Sequence, residues 1–464
     1  MKSKLSWLNR LKPSSTNPRR TSTSSTTHHG PLLQGFPAAK SPLAVLPTKT
    51  LIYSVLFTSV MSSPLLKPCL GVLKYVIESK SSLLHPSRNP VIRCLLRTTI
   101  YNHFCAGENE IEVRRSVQEM KALGFKGVIL GYARESVAKI DIDVANPTAA
   151  AETKTEVLER AVDEWKEGNL RTLKMIGAGD YLSVKFTGVG PAAVEALARG
   201  DQVPPPRVKD AIMEICATTA RQGSRLWIDA EQQVFQPAID SWTIELMRVF
   251  NREGKVVVFN TIQAYLKASA ENVSRHLRLA QAEGWTLGIK LVRGAYIAHD
   301  YRTRIHDTKE ETDANYNHIV QSLLTRQFPA GESLSAHSFP DVRLFVASHN
   351  AESVRKAYSL SRHRMQNRLP TIPVEVVQLQ GMADEVSCEL LAYNASSEVG
   401  SGQGAEQVVP GVFKCLAWGS LEECLHFLLR RAIENQSAVA RTHHTAVALR
   451  REVWRRLGLI SKSM

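Results

Sequence analysis

Polar side chains that can do chemistry recur directly after short, apolar, β-branched runs of the sequence. They are Lys185, Asp229, Glu231, Gln263, Tyr265, Lys290, Arg293, Tyr296, His349 and Gln378. In a parallel barrel the carboxyl ends of the strands converge on one mouth, where the loops carry the chemistry. One such residue alone has an ordinary explanation, such as a lysine that reaches solvent from a strand end. Their recurrence after six runs predicts one polar site.

The charge balance of this predicted site is cationic. Its charged members are Lys185, Lys290, Arg293, Arg430 and Arg431 against Asp229 and Glu231. Guanidinium groups bind planar anions through paired hydrogen bonds, so the site suits a carboxylate or a phosphate. A divalent metal is disfavoured, because the cations would repel it and few ligands are available. We therefore predict an anionic ligand and no metal.

The last strong helical pattern carries two of these cations. Its apolar stripe recurs at helical spacing and consists of Leu421, Cys424, Leu425, Leu428, Leu429, Ala432 and Ile433. Arg430 and Arg431 are adjacent and therefore point about 100° apart on a helix. Both can reach one ligand only if this helix crosses the mouth of the barrel. A regular barrel would place it outside the sheet, so the sequence predicts a displaced last helix.

The elements that would position these residues alternate between strands and helices. Near-continuous apolar character indicates strands buried on both faces, and alternation with helices indicates a parallel sheet. We predict an α/β fold, a distorted (β/α)₈ barrel over residues 101–440. The predicted strands are 127–132, 181–187, 226–231, 256–265, 287–296, 343–349, 374–382 and 412–419, with helices that include 236–252 and 351–366.

Composition excludes several classes of protein. The 464 residues are 44% hydrophobic and 22% charged, which is typical of a globular chain and not of a disordered or collagen-like one. The net charge is +14, but ten basic residues precede the first acid, Glu78, and +4 remains for the rest. That distribution predicts no nucleic-acid partner. The seven cysteines form no CxxC pair, which favours a reducing compartment over a disulfide framework or a zinc site.

The basic front end is typical of a targeting segment. Residues 1–40 are rich in Ser, Thr and basic side chains and contain no acid, which predicts a mitochondrial transit peptide. A disordered N-terminus without targeting value is the alternative. Residues 41–100 are predicted to form a helical extension, in which the apolar run 51–57 is too short for a membrane span and indicates a packing or membrane-surface helix.

The C-terminal residues 441–464 are predicted to form a basic tail. Arginines alternate there with apolar side chains, as in Arg455-Arg456 beside Trp454 and Leu457. A basic amphipathic segment of this kind can lie on an anionic membrane. It can equally be a solvated final helix.

Six motifs in order resemble the proline dehydrogenase family, over roughly 101–436. They are Ile228-Asp229-Ala230-Glu231, Gln263-Ala264-Tyr265, Lys290-Leu291-Val292-Arg293-Gly294-Ala295-Tyr296, His349-Asn350-Ala351, Gln378-Leu379-Gln380-Gly381-Met382 and Arg430-Arg431-Ala432-Ile433-Glu434-Asn435. The whole chain is most similar to the fungal mitochondrial members.

The resemblance implies a distorted barrel that holds FAD at its mouth, with the eighth helix over that mouth. It implies oxidation of L-proline to Δ1-pyrroline-5-carboxylate, with hydride transfer from C5 to flavin N5 and electrons passed to a membrane quinone. The implied location is the matrix side of the inner mitochondrial membrane, with contact to the membrane surface.

The resemblance also assigns residues by motif. Catalytic roles fall on Asp229, Lys290 and Arg293, and substrate contacts on Lys185, Leu291, Tyr296, Cys415, Arg430 and Arg431. Cofactor contacts fall on Ala230, Gln263, Arg293, Gly294, Ala295, Ser348, His349 and Glu434.

Two positions depart from the family pattern. Bacterial members carry Arg at Lys290 and Lys at Arg293, so the exchange leaves open which cation faces flavin N5. Cys415 stands where many relatives carry a Tyr against the substrate ring. The missing phenol either widens the pocket enough for hydroxyproline or is replaced by a neighbour such as Trp418, which keeps the preference for proline.

Two rival functions use the same barrel. Strand-end lysines such as Lys185 or Lys290 permit a lyase or aldolase that forms a Schiff base. A barrel that binds ligand or membrane without catalysis is the second rival. Flavin content and proline-dependent dye reduction distinguish both rivals from a flavin-dependent proline dehydrogenase.

Overall fold

A computed structural model describes residues 41–79, 81–133, 154–331, 339–399, 409–434 and 439–459. The predicted transit peptide, residues 1–40, lies outside the described residues and stays a prediction. The same holds for the last five residues of the predicted C-terminal tail.

Eight parallel strands close into a barrel in chain order, which confirms the predicted α/β barrel. The strands are β1 Gly127–Tyr132, β2 Tyr181–Val184, β3 Arg225–Ile228, β4 Val258–Gln263, β5 Leu287–Val292, β6 Val342–Ala347, β7 Val374–Leu379 and β8 Gly411–Trp418. Closure comes from β8 pairing with β1, in a register that sets Cys415 opposite Ile129.

Helices surround this sheet in the described ranges. They are α1 Thr48–Met61, α2 Leu66–Glu78, α3 Pro90–Leu96, α4 Asn102–Phe104, α5 Glu110–Ala122, α6 Lys154–Lys174, α7 Pro191–Arg199, α8 Pro206–Gln222, α9 Gln236–Phe250, α10 Ser269–Glu283, α11 Lys309–Leu324, α12 Ala351–Gln366, α13 Asp384–Val399, α14 Leu421–Glu434 and α15 Val439–Arg456. A π-helical turn, Arg97–Tyr101, precedes α4.

Alternation along each strand divides the side chains between two cores. Inward residues are aromatic in the lower barrel, where Tyr181, Trp227, Phe259, Phe345 and Phe413 pack together with almost no exposure. Their neighbours along the strands, such as Leu182 and Ile228, join the core between the sheet and the helices. The barrel is therefore filled, and only its mouth can admit a ligand.

Seven of the eight observed strands end earlier than the sequence predicts, and β1 ends at Tyr132 as predicted. β2 ends at Val184 and not at residue 187, and β5 ends at Val292 and not at residue 296. The polar residues that follow leave the ladder and turn into the loops of the mouth. The predicted helix 236–252 also ends early, at Phe250, because the Asn251 side chain accepts hydrogen bonds from the backbone N–H groups of Val257 and Val258.

Helix α14 does not join the outer ring in the ordinary way. Its buried Leu421, Leu425 and Leu429 form a cluster with Ile77 of α2 and Tyr101 of the π-helical turn. The predicted apolar stripe is confirmed for these positions, whereas Ile433 is half exposed. The N-terminal helices thus support the helix that carries Arg430 and Arg431.

The N-terminal and C-terminal helices pack together. Leu51 of α1 and Leu449 of α15 share a buried cluster with Cys388 of α13. Within the described ranges, no single helix has the length and hydropathy to cross a membrane. The pair α1 and α2 passes that test only jointly, with a bend of 107° between them.

Candidate active site

A carboxylate and two ammonium groups meet at the mouth of the barrel. Lys290 Nζ donates to Asp229 Oδ1 at 2.6 Å, and Lys185 Nζ lies 4.0 Å from Asp229 Oδ2. Ser183 Oγ donates to the same Oδ2 at 3.0 Å. We call these four residues the mouth cluster. Their three charged side chains are 13–20% exposed, so water screens the charges only in part.

Strand geometry explains why these residues meet. Inward positions alternate, so Ser183 and Lys185 share one face of the β2 segment, and Asp229 continues the inward face of Trp227. The Asp229 N–H donates to the Val184 carbonyl at 2.8 Å, which extends the β2–β3 ladder by one residue. Lys290 Nζ lies 4.0 Å from the centre of the Trp227 ring, a cation–π contact that holds the ammonium inward.

The electrostatic balance keeps Asp229 charged. Burial alone would raise the pKa of Asp229, but the positive charges of Lys290 and Lys185 and two hydrogen bonds bring it below its usual range. The carboxylate is therefore a fixed negative charge at any pH near neutrality. The lowered pKa suits it to an electrostatic contribution and not to proton uptake.

Cys415 lies in the barrel beside the mouth cluster. It packs against the inner aromatic core and is partly exposed. Burial raises the pKa of Cys415 to about 11, while Lys290, Lys185 and Arg431 oppose that rise. The thiol is neutral and acts as a small wall of the site.

Arg431 lies on α14 and is partly buried. Its positive charge is among those that oppose the rise in the pKa of Cys415. The guanidinium also lies 5.6 Å from the ring centre of Phe427, one helical turn earlier. Arg430 is partly buried on the same helix. Both arginines are therefore partly buried on α14, the helix that the sequence predicts over the mouth.

Arg293 takes a different place from Lys290. Arg293 Nε donates to Asp313 at 2.6 Å, and its two terminal nitrogens donate to Ser348 at 2.6 Å and Ser353 at 2.8 Å. The guanidinium also stacks over the Tyr316 ring at 4.3 Å. Of the two cations that are exchanged relative to bacterial members, Lys290 belongs to the mouth cluster and Arg293 is fixed at the rim between β5 and β6.

The loop after β5 depends on a glycine. Gly294 has φ of 139°, and a side chain there would overlap the Tyr265 ring. The Tyr265 hydroxyl donates to Asp300, whose other oxygen accepts from the Gln233 N–H at 2.7 Å. These contacts fix the course of Gly294, Ala295 and Tyr296 along the rim.

Leu291 lies on the opposite face of β5 from Lys290. Its side chain has no exposure and belongs to the core between the sheet and the helices, and not to the barrel interior. Alternation requires this, because its neighbour Lys290 points inward. The contact of Leu291 with a substrate ring stays a prediction.

The remaining predicted cofactor residues lie along the rim. Gln263 is buried and donates to the Glu231 carbonyl at 3.0 Å, one residue after the buried Ala230. Ser348 holds Arg293, and His349 Nε2 accepts from the Leu379 N–H at 3.2 Å. Glu434 ends α14, and its side chain lies outside the described residues.

Two residues at this mouth, Ser183 and Asp313, were missed by sequence reasoning as site members. Ser183 could have been found from its i,i+2 spacing to Lys185, since both then face one side of a strand. Asp313 lies in α11, twenty residues after Arg293, and no sequence pattern links the two. Glu231 was predicted as a charged member of the site, but its bonds to Thr187 could be found only from the fold.

A family model described as proline dehydrogenase matches residues 113–444, which include all eight strands and the mouth cluster. The chain belongs to the proline dehydrogenase family. This family consists of oxidoreductases that are flavoenzymes in general.

Curated relatives of the family are similar over different lengths. The chain is 29% identical to the probable mitochondrial proline dehydrogenase of Schizosaccharomyces pombe, over 78% of this chain and 80% of that protein. It is 37% identical to mitochondrial proline dehydrogenase 1 of Homo sapiens, over 53% of this chain and 38% of that one. It is also 29% identical to hydroxyproline dehydrogenase of Rattus norvegicus, over 78% of this chain and 83% of that protein.

Solved structures share the fold. The proline utilization A protein of Bdellovibrio bacteriovorus, inactivated by N-propargylglycine, matches with a TM-score of 0.58 at 16% identity. The match covers 83% of this chain and 38% of that protein, so this chain spans well under half of its length. At that identity the likeness supports the barrel fold alone.

Buried amides near the mouth test whether a flavin fits this family member. Gln233 is 5% exposed, and neither polar atom of its side chain has a hydrogen-bond partner among the described residues. Gln380 Oε1, at the end of β7, is also buried without a partner in those ranges. Buried polar groups are normally satisfied. Unsatisfied amides at a rim of fixed cations fit a large polar cofactor.

Proposed function

We propose that this protein oxidises L-proline to Δ1-pyrroline-5-carboxylate with FAD, as the first step of proline breakdown in mitochondria, and passes the electrons to a membrane quinone. The observation that carries the proposal is the mouth cluster, in which Asp229 is held by Lys290 and approached by Lys185. Relatives named as mitochondrial proline dehydrogenases support the substrate and the compartment.

The substrate carboxylate would bind to the cations above the barrel. Arg430 and Arg431 offer planar donors from α14, and Lys185 offers a point charge from the sheet. Because Asp229 compensates only part of this positive charge, an anion gains from entering the site. These contacts fix the pyrrolidine ring in one orientation, which is the main contribution a protein makes to such a reaction.

Asp229 would face the ring nitrogen of proline. Loss of a hydride from C5 requires a neutral ring nitrogen and leaves an iminium cation, so a fixed carboxylate would favour the positive charge that develops on that nitrogen. It also holds the Lys290 ammonium inside the barrel at 2.6 Å. Tyr296 would border the substrate ring from the loop after β5, and Cys415 would border it from β8.

FAD would be held along the rim. Ala230, Gln263, Gly294, Ala295, Ser348, His349 and Glu434 are the residues assigned by the family motifs, with Arg293 fixed among them. When bound, FAD supplies the acceptor for the hydride that leaves C5. Lys290 contributes a buried positive charge, which favours negative charge that develops in the mouth.

An anaerobic absorption spectrum tests the proposal. The purified protein should be yellow, and L-proline should bleach its flavin bands in the absence of oxygen. Asp229→Ala should stay yellow but bleach slowly, whereas Glu375→Gln, at the opposite end of the barrel, should bleach at the normal rate. A colourless protein that borohydride links to a carbonyl substrate would support a Schiff-base enzyme instead.

Contact with the inner membrane surface is part of the proposal. Ile52 and Leu56 of α1 and Val72 and Tyr75 of α2 are each more than half exposed. Lys49, Lys67 and Lys74 lie on the same two helices, and Glu78 is the only acid between residues 41 and 79. Exposed apolar side chains beside cations suit an anionic lipid surface.

The C-terminal helix fits this surface less well than its sequence indicates. Val453 packs toward α1, and Glu452 binds both Arg455 and Arg456, so part of the basic face is already paired. Trp454 and Leu457 remain exposed.

Vesicle sedimentation tests the membrane contact. Ile52→Ser with Leu56→Ser should reduce binding to phosphatidylcholine vesicles that contain phosphatidylglycerol, while dye-coupled activity persists. The matched control is Ile111→Ser on α5, which is 74% exposed but far from the basic helices in sequence. Equal binding of all three proteins would contradict this surface.

Hydroxyproline is the second candidate substrate. Cys415 forms a small, neutral part of the pocket wall, and two relatives similar to this chain are named hydroxyproline dehydrogenases. Turnover with both substrates would decide between a shared and a selective pocket.

A further inference from the structure

A buried glutamate joins the loops that follow β2 and β3. Glu231 is 4% exposed and lies two residues after Asp229. Its Oε1 accepts from the Thr187 backbone N–H at 3.0 Å, and its Oε2 accepts from the Thr187 hydroxyl. Thr187 in turn begins the short helical turn Thr187–Val189, two residues after Lys185.

We propose that Glu231 is a positioning residue, which fixes the segment from Lys185 to Thr187 so that the Lys185 ammonium faces Asp229 and the substrate carboxylate. The inference rests on the proposed function and deepens it, because it names what orients one of the anion-binding groups. Glu231 would not touch the substrate itself.

Hydrogen bonds hold both the N–H and the carbonyl of Glu231, so the backbone from which its carboxylate extends is fixed. The Glu231 N–H donates to Gln236 Oε1 at 3.2 Å, and the Glu231 carbonyl accepts from Gln263 Nε2 at 3.0 Å. Gln236 Nε2 then donates to the buried Asp240 at 2.8 Å. The Glu231 carboxylate, which accepts the hydrogen bonds from Thr187, is therefore anchored through Gln236 to the buried Asp240 of α9.

The segment that carries Lys185 is held from two directions. Trp165 Nε1 of α6 donates to the Lys185 carbonyl at 3.2 Å, and Glu231 binds Thr187 from the β3 side. β2 ends at Val184, so Lys185 lies beyond the strand itself. Loss of the Glu231 carboxyl would remove both bonds that hold Thr187 from the β3 side, whereas the Trp165 bond to Lys185 would remain.

The charge of Glu231 depends on its surroundings. Burial raises the pKa of Glu231 to about 6, although the Thr187 hydrogen bonds and Lys185 oppose the rise and Asp229 adds to it. Gln236, Gln263 and Thr187, which also contact Glu231, are neutral. A carboxyl that is protonated in mild acid still has one oxygen to accept the Thr187 N–H, so the anchor needs an acceptor more than a charge.

Ligand binding to the flavin-loaded protein tests this role. The probe is tetrahydrofuran-2-carboxylate, a proline analogue with oxygen in place of the ring nitrogen, followed by the change in the flavin spectrum. Loss of a buried hydrogen-bonded acceptor should weaken its binding by about tenfold in Glu231→Ala. Glu231→Gln keeps an acceptor for the Thr187 N–H and should stay within about threefold of the unmodified protein.

Two further variants separate positioning from stability. Thr187→Val keeps the backbone bond but loses the hydroxyl bond, and should give an intermediate weakening of about threefold. Glu195→Ala removes an exposed glutamate of α7 and should change nothing. In Glu231→Ala the KM for proline should rise with kcat changed less, because the anion site and not the reaction step is disturbed.

The outcomes are distinct. Normal analogue affinity in folded, flavin-loaded Glu231→Ala would overturn the inference, and so would equal losses in the Ala and Gln variants, which would assign the effect to charge. If the unmodified protein neither binds the analogue nor is bleached by proline, the proposed function fails and the inference fails with it.

Discussion

Charged groups meet at both ends of this barrel, but the two groups differ in burial and in their hydrogen-bond partners. At the mouth, Lys290 and Lys185 approach Asp229 with each side chain at most one fifth exposed. At the opposite end, Lys126 and Arg225 approach Glu375, and both cations are 41–60% exposed. We call Lys126, Arg225, Glu375 and Tyr181 the floor cluster.

The members of the floor cluster bond to one another. The Tyr181 hydroxyl donates to Glu375 at 2.8 Å and accepts from Arg225 at 2.6 Å, and its ring packs in the inner aromatic core. Solvent screens the outer cations, and exposed ion pairs contribute little to stability. No tyrosine hydroxyl bonds to Asp229 within the part of the chain that the structure describes, and the cations of the mouth cluster are screened less. Similar residue types therefore form an exposed ion-pair cluster at one end of the barrel and the proposed binding site at the other.

The largest expected difference between the two ends comes from their carboxylates. Asp229→Ala leaves two partly buried ammonium groups uncompensated, and should lower turnover by about 100- to 1,000-fold while flavin content is retained. Glu375→Ala removes the equivalent group from the floor and should keep turnover within a few fold. Steady-state proline oxidation and the flavin absorbance of both variants make the comparison. Near-normal turnover in Asp229→Ala would remove this residue from the catalytic group.

Cys415 tests how far the mouth depends on shape and not on charge. Cys415→Tyr fills the small wall beside the mouth cluster and should favour proline over 4-hydroxyproline by about 10- to 200-fold in the ratio of kcat/KM values. The matched control at the floor is Phe413→Tyr, which lies two residues earlier on the same inward face. An unchanged ratio in Cys415→Tyr would mean that another side chain, such as Trp418, sets the selectivity.

The outward side of β8 argues against Trp418 as that side chain. Trp418 Nε1 donates to the buried Thr172 of α6 at 3.0 Å, and its ring stacks on Tyr132 at 4.7 Å. It belongs to the core between sheet and helices. It does not fill space beside Cys415, which strengthens the expectation of a wider pocket.

The two arginines of α14 should have the next largest effect. Arg430→Met or Arg431→Met removes a charge-assisted contact worth about 1.5–3 kcal/mol, so tetrahydrofuran-2-carboxylate should bind about 10- to 100-fold more weakly. Flavin content should not change, because α14 is held by its leucines against α2. Arg225→Met, at the floor, is the control. Full affinity in both α14 variants would place the anion site elsewhere.

How much of this site the sequence could predict varies with the kind of contact. Apolar runs that alternate with helical stretches predicted all eight strands, and the polar residues at their ends predicted that Asp229 and Lys290 lie at one mouth. The direction of each side chain was not predicted, and the structure supplies it for Lys290, which faces inward, and for Leu291, which faces the helices. The link between Arg293 and Asp313 could not be predicted, since it joins β5 to α11 through the closed fold.

The pH dependence of stability should differ between the two carboxylates of the mouth. The pKa of Asp229 is lowered, so its stabilising contribution is present above its unfolded pKa of about 3.9 and is lost as the pH falls through the lower folded value. The pKa of Glu231 is raised to about 6, so its contribution has the opposite sign and decreases as the pH rises toward and through 6. The melting temperature of Glu231→Gln should therefore exceed that of the unmodified protein by the largest margin above pH 6. A constant difference from pH 4 to 8 would contradict the raised pKa.

The smallest effect should come from the most exposed cation of the floor cluster. Lys126 Nζ lies 3.0 Å from Glu375, but the lysine side chain is 60% exposed. Lys126→Met should cost no more than about 1 kcal/mol of unfolding free energy and leave proline turnover unchanged, because solvent already screens this pair. Lys290→Met, which removes a cation only 13% exposed, is the matched change at the mouth and should lower turnover strongly. Chemical denaturation measures the first and steady-state kinetics the second. If Lys126→Met reduced turnover as much as Lys290→Met, the floor would be coupled to the reaction, and burial would not be what separates the two ends of the barrel.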